Sequence, residues 1–304
     1  MLRGRKKKKP GAPDKNVEKK RGQKPPELEF SEEDLLGINV EDRPSLLFLG
    51  AFSEQNIEQV LRKYGVWREL ERRGFGNLKL TMDTRDPYRQ RLAIHSVIEG
   101  LHASLLLAEI VVKRDWLTLT PDFEYAYRAQ PLEVLTIEWL TLQDPRLGFT
   151  TRKPRLPGQN YPGLGLSKVV LKVILMACKQ LNLNGIVNIP EYYHNAQIYS
   201  PVASFIDPQC EGKRLAINRD LLKKYHLAKV SWGIDLGCVK ENENPFEWFT
   251  CQQVIPVKKA LREYFRHPEY KKRVKATFEQ FHYTLDEKCW EEKLKKFSPA
   301  DGLT

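Results

Sequence analysis

Residues 158–165 read Gly158-Gln159-Asn160-Tyr161-Pro162-Gly163-Leu164-Gly165, and a strongly amphipathic segment follows at once. A glycine-rich turn that opens a helix leaves backbone N–H groups at the helix N-terminus with no partner inside the helix. Those donors and the helix dipole form an anion site, and glycine lets a phosphate approach the backbone closely. The chemistry on offer is the holding of a phosphate or pyrophosphate. A plainer reading stands beside it: loop glycines often serve the backbone alone, and Pro162 removes an N–H from any cradle. No Cys/His or Ser/His/Asp arrangement has a local signature and no metal-ligand spacing is present, so no metal site is expected.

The elements that must position this turn are a strand before it and a helix after it. Residues 134–142 are rich in β-formers. Downstream, Leu166, Val169, Val170, Val173, Ile174, Ala177, Cys178 and Leu181 repeat at i, i+3, i+4, i+7, which predicts a core-facing helix. A short strand at 185–189 follows, closed by Pro190, then a short helix at 191–199 and a strand near 204–206. Further upstream, 45–49 reads as a buried strand. Ser53 is placed to cap a helix carrying Asn56, Ile57, Val60, Leu61, Tyr64, Trp67 and Leu70 on one face, ending near Arg73-Gly74. Residues 78–82 form a short strand. Residues 92–110 are ambiguous, with a start that suits a helix, while 103–113 suits a long strand. Lys113-Arg114-Asp115 then suits a tight turn into 116–120, making a hairpin. Residues 143–158 form a long Pro/Arg/Gly loop, of a kind often functional or mobile. Helices are expected at 218–225, 257–265, 271–281 and 286–297.

Charge separates three parts. Of the chain's net +11, residues 1–25 carry +9, residues 26–255 carry −2 and residues 256–296 carry +5. Tail-borne charge suits loose contact with nucleic acid or another anionic surface without sequence recognition. Residues 1–27 lack apolar periodicity and read as a disordered basic tail. No apolar run follows the basic start and no window reaches membrane-span length, so neither a secretory signal nor a membrane partner is expected. Cys178, Cys210, Cys238, Cys251 and Cys289 are scattered and odd in number, which suits reduced thiols and a cytoplasmic protein. The domains expected are the tail at 1–27, an α/β domain at 28–208 and a mostly helical extension at 209–304.

The order of elements resembles the GCN5-related N-acetyltransferase (GNAT) superfamily. There an antiparallel meander leads through a strand, a pyrophosphate loop, a long helix, a parallel strand, a short helix and a last strand. The resemblance covers roughly 45–208 in arrangement and 134–207 in motif. It implies an α/β (α+β) fold, a GNAT-like mixed sheet flanked by helices. The family's loop reads Arg/Gln-x-x-Gly-x-Gly/Ala; Gly163-Leu164-Gly165 matches its end, Asn160 stands at the Arg/Gln position, and Gln159 is displaced by one. Asn195-Ala196-x-x-Tyr199 is similar to the family's Asn/Ala/Tyr segment, whose tyrosine often protonates the departing thiolate. The spacing is shorter here, which leaves Tyr192 and Tyr193 as alternatives to Tyr199.

The resemblance implies coenzyme A binding at Leu140, Leu142, Gln159, Asn160, Tyr161, Gly163, Leu164, Gly165, Leu166, Asn188 and Asn195, with Asn188 near the split between the two parallel strands. Acyl transfer to an amine is helped by a general base. Glu138, mid-strand, is the first candidate, because burial would raise its pKa; Glu109 is the second. Both carry the plainer reading of a solvated strand face. His194 reads first as a cap or surface residue and Cys178 as inert packing. Arg152, Lys153 and Arg155 are candidates for the coenzyme's 3′-phosphate, or a solvated charge run. The expected function is acyl transfer, acetyl first, from acyl-CoA to an unidentified amine, with Glu138 and Tyr199 catalytic. The alternative is a non-catalytic GNAT-like binding protein that contacts nucleic acid or a protein partner through the basic tail and C-terminal helices.

Overall fold

The computed structural model describes residues 47–86, 88–98, 100 and 103–303. The expected tail at 1–27, and Ser45 and Leu46 of the first expected strand, lie outside them. Residues 47–49 are not a strand; Phe48 makes a single bridge to Phe52. Ser53 caps α1 (Glu54–Lys63) as expected, its Oγ accepting from the Asn56 N–H at 3.2 Å. The single helix foreseen here is two. Gly65, at φ +77°, turns the chain into α2 (Val66–Arg72), so that both helices lay apolar faces on the sheet.

The antiparallel meander is β1 (Leu78–Asp83), β2 (Gln90–Ile98), β3 (Ala103–Thr118) and β4 (Pro131–Leu142). The helical option for the stretch starting at residue 92 is overturned, because β2 is paired along both edges. The tight turn at Lys113-Arg114-Asp115 is overturned too. Those residues stay in the ladder opposite Thr136, Leu135 and Val134. The Arg114 Nε donates to Glu133 Oε1 across the strands at 2.7 Å, and such opposite-charge pairs favour continued pairing.

Next come α3 (Ser167–Gln180), β5 (Gly185–Asn188), α4 (Tyr193–Tyr199), β6 (Ser204–Phe205) and α5 (Pro208–Ile217), which continues as a π-helical turn over 218–222. The remainder is α6 (Leu227–Asp235), β7 (Val239–Glu241), β8 (Asn244–Pro245), β9 (Gln253–Pro256), α7 (Lys259–Arg266), α8 (Pro268–Gln280), β10 (Tyr283–Leu285) and α9 (Glu287–Leu294). The main sheet runs β1-β2-β3-β4-β5-β9-β6, and a small sheet runs β10-β7-β8. β4 and β5 are parallel, whereas β9 is antiparallel to both β5 and β6. A strand from the C-terminal part thus lies inside the main sheet, and β6 reaches β5 only through it.

Alternation along the central strands sends side chains to two cores. Leu135, Ile186 and Ile255 meet α1, α2 and α3, while Val134, Val187 and Val254 meet Leu261 and Tyr264 of α7 and Tyr270 of α8. The sheet is therefore covered on both faces. The expectation of separate reduced thiols needs correction: Cys210 is bonded to Cys251 and Cys238 to Cys289, leaving Cys178 buried and free. The partners are 41 and 51 residues apart in sequence, and only the packing of α5 on the segment before β9, and of α9 beside the end of α6, brings them together. Among the described residues no helix is long and apolar enough to cross a membrane.

Candidate active site

The β4–β5 ladder is short. It pairs Leu135 with Ile186, Thr136 with Val187 and Ile137 with Asn188, and then stops while β4 continues to Leu142. On its other edge β4 carries a bulge: Val112 faces Ile137, Val111 faces Trp139, and Glu138 is the extra residue. A bulge bends the strand and re-aims its side chains. Beyond it β4 has lost β5, and the free edge opens a cleft of about 540 Å³.

Three pieces of chain close this cleft. The turn at 157–161 lies at one end, Ser167 and Leu171 of α3 form a wall, and Asn188 with α4 forms the opposite side. The turn is pinned. The Asp144 N–H donates to Pro162 O at 2.9 Å, Leu164 N–H to Leu142 O at 3.2 Å, and Arg155 Nε to Gln159 O at 2.9 Å. The Trp232 indole N–H donates to Arg155 O at 2.8 Å, and Arg155 Nη1 lies 3.2 Å from Asp301. The 143–158 loop is thus held by the C-terminal part of the chain. Gly158 takes φ +72°, and a Cβ there would lie 2.6 Å from the Tyr192 ring.

Of the residues singled out from sequence, Glu138, Leu140, Leu142, Gln159, Asn160, Tyr161, Asn188, Asn195 and Tyr199 all line the cleft, with Glu109, Tyr192 and His194. Gly163, Leu164, Gly165 and Leu166 do not. The Leu164 and Leu166 side chains are core, so any part they take is through backbone. The two loop glycines differ. Gly163 has ordinary φ, and an added Cβ would meet nothing nearer than Leu142 O at 3.6 Å; Gly165 takes φ +69° and faces open space. Among the described residues, the backbone N–H groups of Gly165, Leu166, Ser167 and Lys168 have no hydrogen-bond acceptor, the condition an anion site requires. Ser167 and Leu171 were missed in the sequence reading. The available signal was Ser167's place at the first turn of a helix that follows a glycine loop.

The charged groups of the strands follow the plainer reading of solvated, ion-paired faces. Glu138 lies exposed on the solvated face of β4: its Oε2 accepts from Arg89 Nε at 2.8 Å and its Oε1 lies 3.6 Å from Lys113 Nζ. Glu109 is paired with Arg91. Arg155 is committed to Asp301 and Gln159. Arg152 and Lys153 line a separate cavity of about 390 Å³ together with His226. His194 is the largest correction. Instead of capping or facing solvent it is 3% exposed, its Nδ1 lies 2.9 Å from Ser231 Oγ on α6, and burial pushes its pKa down to about 4. Burial pushes the Tyr199 and Tyr192 phenols up, so both carry their protons at neutral pH. α4 is itself anchored by Gln253 Nε2 donating to Ala196 O at 3.0 Å, and by Arg214 Nη1 donating to Gln197 Oε1 at 3.0 Å.

The described residues thus have a GNAT-like fold: a mixed sheet with a meander, a parting of two parallel strands, and a glycine turn leading into a helix. No family model matches the chain, and no curated protein matches it. Solved structures similar to it include a KacTA–DNA complex, at 18% identity over 49% of this chain and 69% of that one, with a TM-score of 0.24. AtaT complexed with acetyl-methionyl-tRNAfMet matches at 10% identity over 51% and 78%, TM-score 0.25. A KacT variant with a tyrosine-to-phenylalanine change matches at 13% identity over 71% and 91%, TM-score 0.25.

Proposed function

We propose that the chain is an acyl-CoA-dependent N-acyltransferase that passes an acyl group directly from thioester to amine. The observation that carries this reading is the edge of β4 left open between Ile137, where β5 stops, and Leu142, where Leu164 N–H takes over, beside the acceptor-free N–H groups of residues 165–168. A strand edge offers alternating donors and acceptors to an amide-containing arm, and a helix N-terminus offers donors to a pyrophosphate. Together they suit the two ends of coenzyme A. In the reaction the amine nitrogen bonds the thioester carbon, the C–S bond breaks, and the amine loses a proton. Glu138, at the bulge, takes that proton directly or through water. Tyr199, holding its proton at neutral pH, supplies one to the departing sulfur.

Thermal shift of the full chain with acetyl-CoA and longer acyl-CoAs tests the reading. A ligand at a hundred times its Kd stabilises the native state by about 2.7 kcal/mol, which for a protein of this size raises Tm by a few degrees. A flat Tm across all acyl-CoAs rejects it. One observation favours a second reading, a binding protein without turnover: the Glu138 carboxylate is held by Arg89 and Lys113. That reading expects coenzyme binding with no thiol release, and nucleic-acid binding that falls with salt and with deletion of residues 1–25.

A further inference from the structure

A second space borders the cleft. On the far side of Leu140 and Leu142 lies a second cavity of about 120 Å³, enclosed by β1–β4, α1 and α3. The two spaces share Leu140 and Leu142 of β4, Ile174 of α3 and Glu109 of β3 as lining. Apart from Glu109, whose carboxylate is paired with Arg91, the lining is apolar, with Val60, Ile94 and Ala177 among the floor residues. Protein cores are close-packed and rarely hold voids larger than a water molecule. An apolar cavity near 150 Å³ stays dry and takes an apolar guest.

We infer that this second cavity is an acyl-chain pocket, and that the donor is a medium-chain acyl-CoA of about six carbons. The inference rests on the acyltransferase reading and names its donor class. The geometry behind it is adjacency: Leu140 and Leu142, two residues apart on β4, share a face and border both the coenzyme cleft and the cavity. A chain leaving the thioester beside them has the apolar void behind the same two leucines. An apolar cavity of about 150 Å³ takes benzene, so 120 Å³ holds about five carbons, those beyond the carbonyl of a hexanoyl group. Each buried methylene strengthens binding roughly fourfold.

Calorimetric titration of the full chain with CoA, acetyl-CoA, hexanoyl-CoA and palmitoyl-CoA tests this. Hexanoyl-CoA is expected to bind at least tenfold more tightly than acetyl-CoA, and palmitoyl-CoA more weakly than hexanoyl-CoA because its chain exceeds the space. Ala177→Phe, which fills the cavity from α3, is expected to erase the preference for hexanoyl while CoA affinity stays within about twofold. If that variant does not fold, the wild-type series decides alone. Equal affinity for acetyl-CoA and hexanoyl-CoA overturns the pocket and leaves the acyltransferase reading standing; binding of none of the four removes both.

Discussion

Ser167→Glu is expected to weaken coenzyme binding at least a hundredfold while leaving the fold as stable as before or slightly more so. Ser167 is the first residue of α3 and lines the cleft, within the run of acceptor-free N–H groups. An acidic side chain in the first turn of a helix is favourable by about 0.3–1 kcal/mol, because it faces the positive end of the dipole. The same charge confronts an incoming pyrophosphate. Two like charges about 4 Å apart near a protein surface repel by about 4 kcal/mol at an effective dielectric of 20, which spans the hundredfold loss, about 2.7 kcal/mol. Ser167→Gln, similar in size and uncharged, is expected to lose less than tenfold. Urea unfolding and calorimetric titration on the same two variants separate the effects. Undiminished affinity in Ser167→Glu would place the pyrophosphate elsewhere.

Acid should destabilise the protein through His194. Its ring is buried and neutral, with a pKa near 4 against about 6.5 in the unfolded chain. Between those values the unfolded state binds a proton that the native state refuses, so stability falls as pH drops from about 6.5 towards 4. The loss is about 3 kcal/mol, a difference in pKa of about 2.5 at about 1.36 kcal/mol for each. His194→Gln removes the titration. It should begin about 1 kcal/mol less stable at pH 7, from its weakened contact with Ser231, yet lose about 3 kcal/mol less than wild type on going from pH 7 to pH 4. Parallel acid profiles for the two proteins would show that His194 is not the buried neutral group described here.

Local pattern made part of this molecule readable from sequence. The α3 helix followed from apolar periodicity and the Ser53 cap from residue type; both are decided within a dozen neighbouring residues. Lys113-Arg114-Asp115 misled because three adjacent charges suit a turn, whereas the ladder to β4 and the Arg114–Glu133 pair keep them extended. That choice depends on a strand some twenty residues away. β9 could not be placed for a similar reason: Gln253–Pro256 is too short to show a period, and its partners, β5 and β6, lie about seventy and about fifty residues upstream. In the site, the residue types were visible and their environments were not. For Glu138 the sequence left burial and a solvated strand face both open, and the bulge decides for the solvated face, beside Arg89. His194 was read as a surface residue, and α6, packed on α4 from later in the chain, buries it.

Hydrogen exchange of the full chain with and without acetyl-CoA tests the central claim most directly, because it reports which backbone N–H groups a coenzyme covers. The cleft described here predicts slowed exchange in the free part of β4, residues 139–142, and in the first turn of α3, residues 165–168, with α7 and α8 unchanged. Unaltered exchange at both of those segments, or protection confined to α7 and α8, would contradict the account.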